Sequence, residues 1–145
     1  MKYLFFILAS LVSTGFCAIR KEDLGPVLTS KISEWRKKCQ LFTGISDEKI
    51  DQMIAGNFPD CDEAKRYNYC IWMIENFTIN KKNKMCPKKI EYVLPPKYKA
   101  DSQHFLKCNK EHVVEDNSTT SIVDKFYNMQ MCVQKCVPDS HYIYF

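Results

Sequence analysis

The feature that most limits how this chain can fold is a set of eight cysteines spread over 145 residues. Whether cysteines pair depends on the compartment, because disulfides persist in oxidising compartments and are rare in the cytosol. The N-terminal residues predict export: Lys2 precedes a continuous apolar run over residues 3–12, and small residues follow that run. This order is typical of a secretory signal peptide, and the run is too short to span a bilayer.

We therefore expect a signal peptide over residues 1–18 and a secreted, extracellular domain over residues 19–145. Cleavage after Cys17 or Ala18 is the preferred interpretation, and cleavage after Gly15 is the alternative. Roughly 127 residues then remain, which is the length of one domain that can bury its own core. No later stretch has about twenty consecutive apolar residues, so no membrane span is predicted.

The cysteine count becomes odd when the signal peptide is removed. Cys17 is expected to leave with it, and seven cysteines then remain. At least one thiol is therefore free or bonded to a second molecule, so a monomer and a weak or disulfide-linked dimer stay open as alternatives. Zinc binding by Cys132, Cys136 and His141 is another use of these side chains. It is disfavoured because no fourth ligand is evident nearby in the sequence, and we expect no metal.

The charge of the chain argues against one class of partner. There are 21 basic and 17 acidic residues, and the basic residues are mixed with acids outside a lysine cluster over residues 81–89. Proteins that bind single-stranded nucleic acid combine positive charge with stacking aromatic side chains, and no aromatic residue is interleaved with this cluster. We interpret the cluster as a solvated loop and expect no nucleic-acid partner.

Apolar residues recur at spacings of three and four, which favours helices over strands. Glycine, proline and helix-capping residues divide the chain into six predicted helices. The third of these has almost no polar face between Tyr67 and Phe77, which predicts that it lies in the middle of the domain. The predicted helices cover Leu24–Gln40, Asp47 to about Gly56 with Ser46 as the cap, Asp60 or Asp62 to about Phe77, Pro87–Val93, Tyr98–Lys110 and Ser121–Cys136.

An ordered set of segments resembles the insect odorant-binding proteins, from about Leu24 to Val137. The set comprises Cys39, the second helix with the sequence GISDEKI, the turn over residues 57–60, the triplet Tyr69-Cys70-Ile71 and the segment over residues 123–132. The family usually has six cysteines, and Arg66 and Val123 occupy its second and fifth positions here. Since those two positions are bonded to each other in the family, the chain resembles the C-minus subgroup, which lacks that pair.

The resemblance also implies how the cysteines pair. The family pattern implies a Cys39–Cys70 bridge between the first and third helices, and a Cys108–Cys132 bridge between the fifth and sixth. Three cysteines, at positions 61, 86 and 136, fall outside the pattern. Cys86 heads the fourth helix and Cys136 ends the sixth, so we predict a third bridge between these two, which would leave Cys61 free.

The fold that the resemblance implies is all-α: a single compact domain of about six helices enclosing an apolar cavity and stapled by disulfides. Helix-facing apolar residues are the candidate lining, although each of them alone is also typical of an ordinary core. Tyr142 and Tyr144 belong to an apolar C-terminal tail, which either folds over the cavity as a wall or packs on the outer surface. The other candidate lining residues are Trp35, Met53, Ile54, Phe58, Trp72, Met73, Phe77, Ile90, Phe105, Phe126, Met129 and Val133.

The implied function is a secreted carrier that binds small hydrophobic molecules, such as odorants, pheromones or lipid-like ligands. No cofactor is expected, and a chemosensory receptor is a further expected partner. No GxSxG, HExxH or glycine-rich phosphate motif is present, so no enzyme is predicted. The alternative is a salivary or venom-type scavenger of biogenic amines or lipids, or a protein-binding relative. Amine capture would require carboxylates in the cavity, for which Glu75 and Glu91 are the candidates.

Overall fold

The computed structural model describes residues 21–74, 76–77 and 83–144. The predicted signal peptide, Glu75 and part of the lysine cluster lie outside these residues. The described part folds as an all-α domain, as predicted, with short 3₁₀ and π segments beside its α-helices. The α-helices are α1 (Lys21–Thr43), α2 (Asp47–Ile54), α3 (Asp62–Ile74), α4 (Pro87–Val93), α5 (Ser102–Asn109) and α6 (Ile122–Cys136). Within these ranges no helix is long and apolar enough to cross a bilayer.

Helix α1 is bent near its start. Gly25 has φ 75° and ψ 161°, a conformation that only glycine adopts readily, and Pro26 follows it. Proline suits the first position of a helix because its missing N–H has no acceptor there and its φ angle is already helical. The regular part of α1 therefore begins at Pro26 and continues to Thr43.

Serine hydroxyls cap the starts of two helices, and Ser46 does so as predicted. The Ser46 hydroxyl accepts a hydrogen bond from the backbone N–H of Lys49 at 3.4 Å at the start of α2. The Ser121 hydroxyl does the same for Asp124 at 3.2 Å at the start of α6. Each bond satisfies one of the N–H groups that a helix leaves unpaired at its first turn. Helix α4 begins at Pro87 and ends at Val93, as predicted.

Two predicted boundaries are corrected. Helix α3 ends at Ile74 rather than near Phe77, and Asn76 has a positive φ of 50°, a conformation that asparagine tolerates at helix ends. The predicted fifth helix is three segments: a 3₁₀ segment over Pro96–Asp101, α5, and a π segment over Lys110–Val114. Pro96 is the first residue of the 3₁₀ segment, where its missing N–H has no acceptor within the segment.

The third helix lies in the middle of the domain, as its apolar sequence predicted. Helix α3 packs against α1 on one side and against α6 on another, and α5 packs against α6. None of the residues from Tyr67 to Ile74 is exposed. The core beside α3 is aromatic: the Trp72 ring lies 5.5 Å from that of Phe77 and 6.0 Å from that of Phe105, in edge-to-face geometry.

Two of the three predicted disulfides are present. Cys39–Cys70 joins α1 to α3 and Cys108–Cys132 joins α5 to α6, with Cα–Cα distances of 5.7 and 5.8 Å. Arg66 and Val123, at the two family positions without cysteine, lie on α3 and α6, which pack together. The assignment to the C-minus subgroup stays a prediction.

The predicted Cys86–Cys136 bridge is wrong, because both cysteines are free and half-buried, as is Cys61. Cys136 lies one helical turn after Cys132 on α6, and both therefore face α5. Its sulfur lies within 4.8 Å of the sulfurs of Cys108 and Cys132. The sequence positions of two helix ends did not reveal which neighbour each end faces.

Disulfide mapping tests this connectivity. We expect alkylation under denaturing, non-reducing conditions to label Cys61, Cys86 and Cys136, with Cys39–Cys70 and Cys108–Cys132 recovered as linked peptides in mass spectrometry. Alkylation at acidic pH is needed, because a thiolate close to a disulfide exchanges with it. A Cys86–Cys136 linked peptide would contradict the structure and restore the original prediction.

Candidate ligand-binding site

A cavity of about 390 Å³ lies between α1, the end of α2 and the C-terminal tail. Its volume is in the range of roughly 300–1,000 Å³ that is typical of small-molecule sites. Apolar side chains provide most of the lining, together with polar groups from α1. The lining residues are Leu24, Thr29, Ile32, Ser33, Arg36, Lys37, Gln40, Ile54, Tyr142, Ile143 and Tyr144.

One wall of the cavity is a single stripe along α1. The stripe consists of Thr29, Ile32, Ser33, Arg36, Lys37 and Gln40, which recur at spacings of three and four residues along the helix. Positions at these spacings share one face of an α-helix. Thr29 and Gln40 are eleven positions apart, and a rise of about 1.5 Å per residue gives a wall about 16 Å long. The cavity is therefore elongated along α1.

The opposite wall is the C-terminal tail, which a short turn brings back from the end of α6. Pro138 precedes a 3₁₀ turn over Asp139–His141. The His141 Nδ1 atom lies 3.0 Å from Asp101 Oδ2, and the imidazole packs on the Tyr98 ring with 4.7 Å between centroids. These contacts fix the turn to the 3₁₀ segment before α5, so the next residues enter the interior.

The tail is held inside the domain by its two tyrosine hydroxyls. The Tyr144 hydroxyl donates to Asn68 Oδ1 at 3.2 Å, and Gln130 Nε2 donates to the Tyr142 hydroxyl at 3.4 Å. Both amides are bonded at their other ends, Asn68 to the Phe126 carbonyl and Gln130 to the Trp72 indole N–H. A buried polar group is stable only when it is hydrogen-bonded, so this network fixes the tail position.

The residues of the tail lie inside the domain. Tyr142, Ile143 and Tyr144 are all buried, with exposed fractions of 6% or less. All three also line the cavity, so the tail is a cavity wall and does not lie on the outer surface.

Three of the fourteen candidate lining residues therefore lie on this cavity: Ile54, Tyr142 and Tyr144. Most of the others pack against one another in the core behind it. Phe58 and Met73 are partly buried against that core, and the Phe58 ring lies 5.4 Å from that of Tyr144. A role of these core residues in ligand binding stays a prediction. The buried members of the group, each 3% exposed or less, are Trp35, Met53, Trp72, Phe77, Ile90, Phe105, Phe126, Met129 and Val133.

Sequence reasoning missed the polar wall. Thr29, Ser33, Arg36, Lys37 and Gln40 lie beside the apolar stripe of α1 and look like solvated positions in the sequence. They face the cavity because the tail covers this flank of the helix. The sequence signal that could have revealed this wall is the apolar tail, because apolar side chains are stable only when they pack against another element.

The charges on the cavity wall are positive. Arg36 and Lys37 line it, and no carboxylate is among the lining residues that the structure describes. The Arg36 Nε atom is buried and has no hydrogen-bond partner within the described part of the chain. Burial raises the pKa of Tyr67 and Tyr144, and the positive charge of Arg36 opposes part of that rise.

Two further depressions adjoin the start of α1. One, of about 370 Å³, lies between Leu24 and Leu28 on α1 and the chain leaving α4 at Leu94. The other runs along the outer face of α1 near Ser30 and Glu34. Both are more open than the cavity under the tail, and a more open site leaves more of an apolar guest in water. The cavity under the tail is therefore the stronger candidate.

The described residues also include two clusters of metal-ligand types. Cys108, Cys132 and Cys136 form one, and Glu111, His112 and Cys132 form the other. Each cluster depends on a sulfur of the Cys108–Cys132 disulfide, and a disulfide sulfur is not the thiolate that binds zinc. Neither cluster therefore offers three free donors.

Burial of three tyrosines, one on α3 and two in the tail, predicts loss of stability at alkaline pH. Burial raises the pKa of Tyr67, Tyr142 and Tyr144 above the ordinary value of about 10. The phenol groups lose their protons at lower pH in the unfolded chain than in the folded protein. The free energy of unfolding is therefore unaffected below about pH 10 and falls above it. The slope is about 1.4 kcal/mol per pH unit for each such tyrosine. Urea unfolding between pH 8 and 11.5 measures it, with the three free cysteines replaced by alanine to prevent exchange.

Substitution of one tail tyrosine separates this effect from general alkaline unfolding. Tyr144→Phe leaves Asn68 Oδ1 without its donor, which should lower the free energy of unfolding at pH 8 by about 1–3 kcal/mol. The same change should reduce the alkaline slope. Tyr92→Phe is the control, because Tyr92 is 73% exposed and meets water in both states. An equal slope for wild type and Tyr144→Phe would contradict the buried position of the tail.

Comparisons with known proteins agree with this architecture. Odorant Binding Protein 7 from Anopheles gambiae, solved with four disulfide bridges and in complex with an azo compound, matches with a TM-score of 0.64. The match covers 79% of this chain and 89% of that chain, at 17% sequence identity, which shows a shared fold. No curated protein sequence matches significantly. The PBP/GOBP family matches residues 21–136, which is most of the sequence, and the chain therefore belongs to the PBP/GOBP family.

Proposed function

We propose that this protein is a secreted carrier that binds one small hydrophobic molecule in the cavity between α1 and the C-terminal tail. The observation that carries the proposal is the cavity itself: about 390 Å³, mainly apolar, and closed on one side by a buried tail. Membership of the PBP/GOBP family supports it. So does the azo compound bound by Odorant Binding Protein 7, a protein of the same fold.

The lining favours an apolar guest of modest size. Leu24, Ile32, Ile54 and Ile143 present aliphatic groups to the cavity, and two tyrosine rings complete the surface. Each methylene group that a guest buries there gains about 0.8 kcal/mol. Apolar walls discriminate weakly between guests that differ by one methylene, so we expect a range of related odorant-, pheromone- or lipid-like ligands.

The rest of the proposal concerns where the carrier acts. The predicted signal peptide and the two disulfides are those of a protein that acts outside the cell. Binding and release need no chemical step, so the proposed role is not catalytic. A chemosensory receptor as the recipient of the ligand is part of the same proposal.

The amine-scavenger alternative has less support. An amine requires a carboxylate or other acceptor in the cavity, and the described lining has Arg36 and Lys37 instead. Of the two candidate acids, Glu91 is exposed on α4 and Glu75 lies outside the described residues. No observation favours a protein-binding role over the carrier.

Displacement of a fluorescent apolar probe tests the function. We expect saturable micromolar binding of 1-aminoanthracene to the refolded mature protein, displaced by long-chain alcohols, esters or terpenoids. Ile54→Trp adds a bulky side chain to the cavity wall and should weaken probe binding about tenfold or more. Leu41→Trp is the matched control, because Leu41 is 87% exposed and does not line the cavity.

Three outcomes would contradict the proposal. Absence of saturable binding by folded protein with both disulfides intact would remove the carrier function. Displacement by amines alone would favour the scavenger. Equal binding by Ile54→Trp and Leu41→Trp would place the guest elsewhere.

A further inference from the structure

We infer that the preferred ligand is an anionic amphiphile, a medium- or long-chain carboxylate whose head group is bound by Arg36. This inference rests on the proposed carrier function and names the chemical class of its ligand. Three features of the cavity carry it: an unsatisfied guanidinium nitrogen, the absence of a described carboxylate in the lining, and an apolar path that leads away from Arg36.

The first feature is the state of Arg36. This residue is half-buried on the cavity face of α1, and no hydrogen bond in the described structure reaches its buried Nε atom. A buried donor without an acceptor costs about 1–3 kcal/mol, and more when it belongs to a charged group. A ligand oxygen that accepts from Nε would remove this cost. Within the described residues, the Nε atom of Arg36 thus lacks an acceptor.

The second feature is that the nearby acids already have other partners. Glu34, one turn from Lys38 on α1, binds Lys38 Nζ at 2.5 Å and is exposed. Asp47 at the start of α2 accepts a hydrogen bond from Gln40 Nε2 at 2.7 Å. With no carboxylate in the described lining, Arg36 and Lys37 leave the cavity positive. This charge repels an ammonium group and attracts an anion.

The third feature is the shape of the remaining cavity. Beyond Arg36 the lining is aliphatic at Leu24, Ile32, Ile54 and Ile143, with the hydroxyl groups of Thr29 and Ser33 among them. Arg36 and Thr29 are seven residues apart, which is about 10 Å along the helix. A ligand with its charged group at Arg36 can therefore extend an acyl chain along this apolar surface. A small anion without a chain would leave that surface unfilled.

Guanidinium chemistry favours carboxylate and phosphate head groups alike, because both accept two parallel N–H bonds in one plane. A fatty acid and an alkyl phosphate share this chemistry, and a comparison of chain-matched compounds distinguishes them. The carboxylate is preferred here because the cavity is small and partly apolar around Arg36, so the smaller and less hydrated anion is desolvated at lower cost.

Calorimetric titration with chain-matched probes tests the inference. Dodecanoate, dodecanol, dodecylamine and dodecyl phosphate are each titrated at pH 7.5, below their critical micelle concentrations. We expect dodecanoate to bind about tenfold more tightly than dodecanol, since a charge-assisted hydrogen bond contributes about that factor. Dodecylamine should bind most weakly, and dodecyl phosphate should fall between dodecanoate and dodecanol.

Substitutions at Arg36 identify the group responsible. Arg36→Met should reduce dodecanoate affinity about tenfold and change dodecanol affinity by less than about twofold. Arg36→Lys keeps the charge but loses the planar donor pair, so its dodecanoate affinity should be intermediate. Lys38→Gln is the matched control, because it removes the same charge from an exposed position two residues along α1 that does not line the cavity. It should change dodecanoate affinity by less than about threefold. Circular dichroism and the unfolding midpoint confirm that each variant is folded.

The possible results separate this inference from the carrier function. Equal affinity for dodecanoate and dodecanol, with no change in Arg36→Met, would overturn the anionic ligand and leave the carrier function intact. If Lys38→Gln and Arg36→Met weaken dodecanoate binding equally, long-range charge attracts the acid and Arg36 does not bind it. Tighter binding of dodecyl phosphate would assign the site to phosphate head groups. No binding of any probe by folded protein would overturn both proposals.

Discussion

The structure of the candidate site depends on the insertion of the C-terminal tail into the helical domain. Two hydroxyl groups make this possible: Tyr142 pairs with Gln130 on α6 and Tyr144 with Asn68 on α3. If the tail were withdrawn, both amides would stay buried with fewer partners, and each lost bond would cost about 1–3 kcal/mol. The tail and the amides therefore stabilise each other. Without the tail, the polar flank of α1 would simply face solvent.

The disulfides determine where the tail can insert. Cys39–Cys70 holds α1 against α3, and Cys108–Cys132 holds α5 against α6. Since α3 also packs on α6, the two bridges join four helices through one central pair. The acceptor for Tyr144, Asn68, lies on α3, and the donor to Tyr142, Gln130, lies on α6. Both tail partners therefore lie on the two helices that the bridges constrain.

Much of the fold was predictable because the relevant signals are local. Ser46, Pro87 and Ser121 begin helices through their own backbone chemistry, and the unbroken apolar sequence of α3 has no stable place except the interior. The two confirmed bridges followed from the family resemblance. The wrong bridge, Cys86–Cys136, was argued from the ends of two helices. Which neighbour a helix end faces is a tertiary property that no local pattern contains.

The site was less predictable than the fold. An apolar stripe such as that of Trp35 and Ile32 shows which face of a helix is buried, but not whether it is buried against side chains or against a void. Trp35 lies in the packed core, whereas Ile32 also reaches the cavity. Arg36 had the appearance of a solvated residue because its sequence neighbours are charged. Only the path of the tail, nearly 110 residues later, makes its side chain part of a cavity wall.

The most direct test of this account is a crystal structure of the mature protein with a bound long-chain ligand such as dodecanoate or dodecanol. The account predicts ligand density between α1 and the tail, in contact with Ile32, Ile54 and Ile143, with the Tyr144–Asn68 hydrogen bond retained. Density among the aromatic side chains around Trp72 and Phe105, or a tail displaced from its position against α1, would contradict it. The first of these results would instead support the core cavity that the sequence alone suggested.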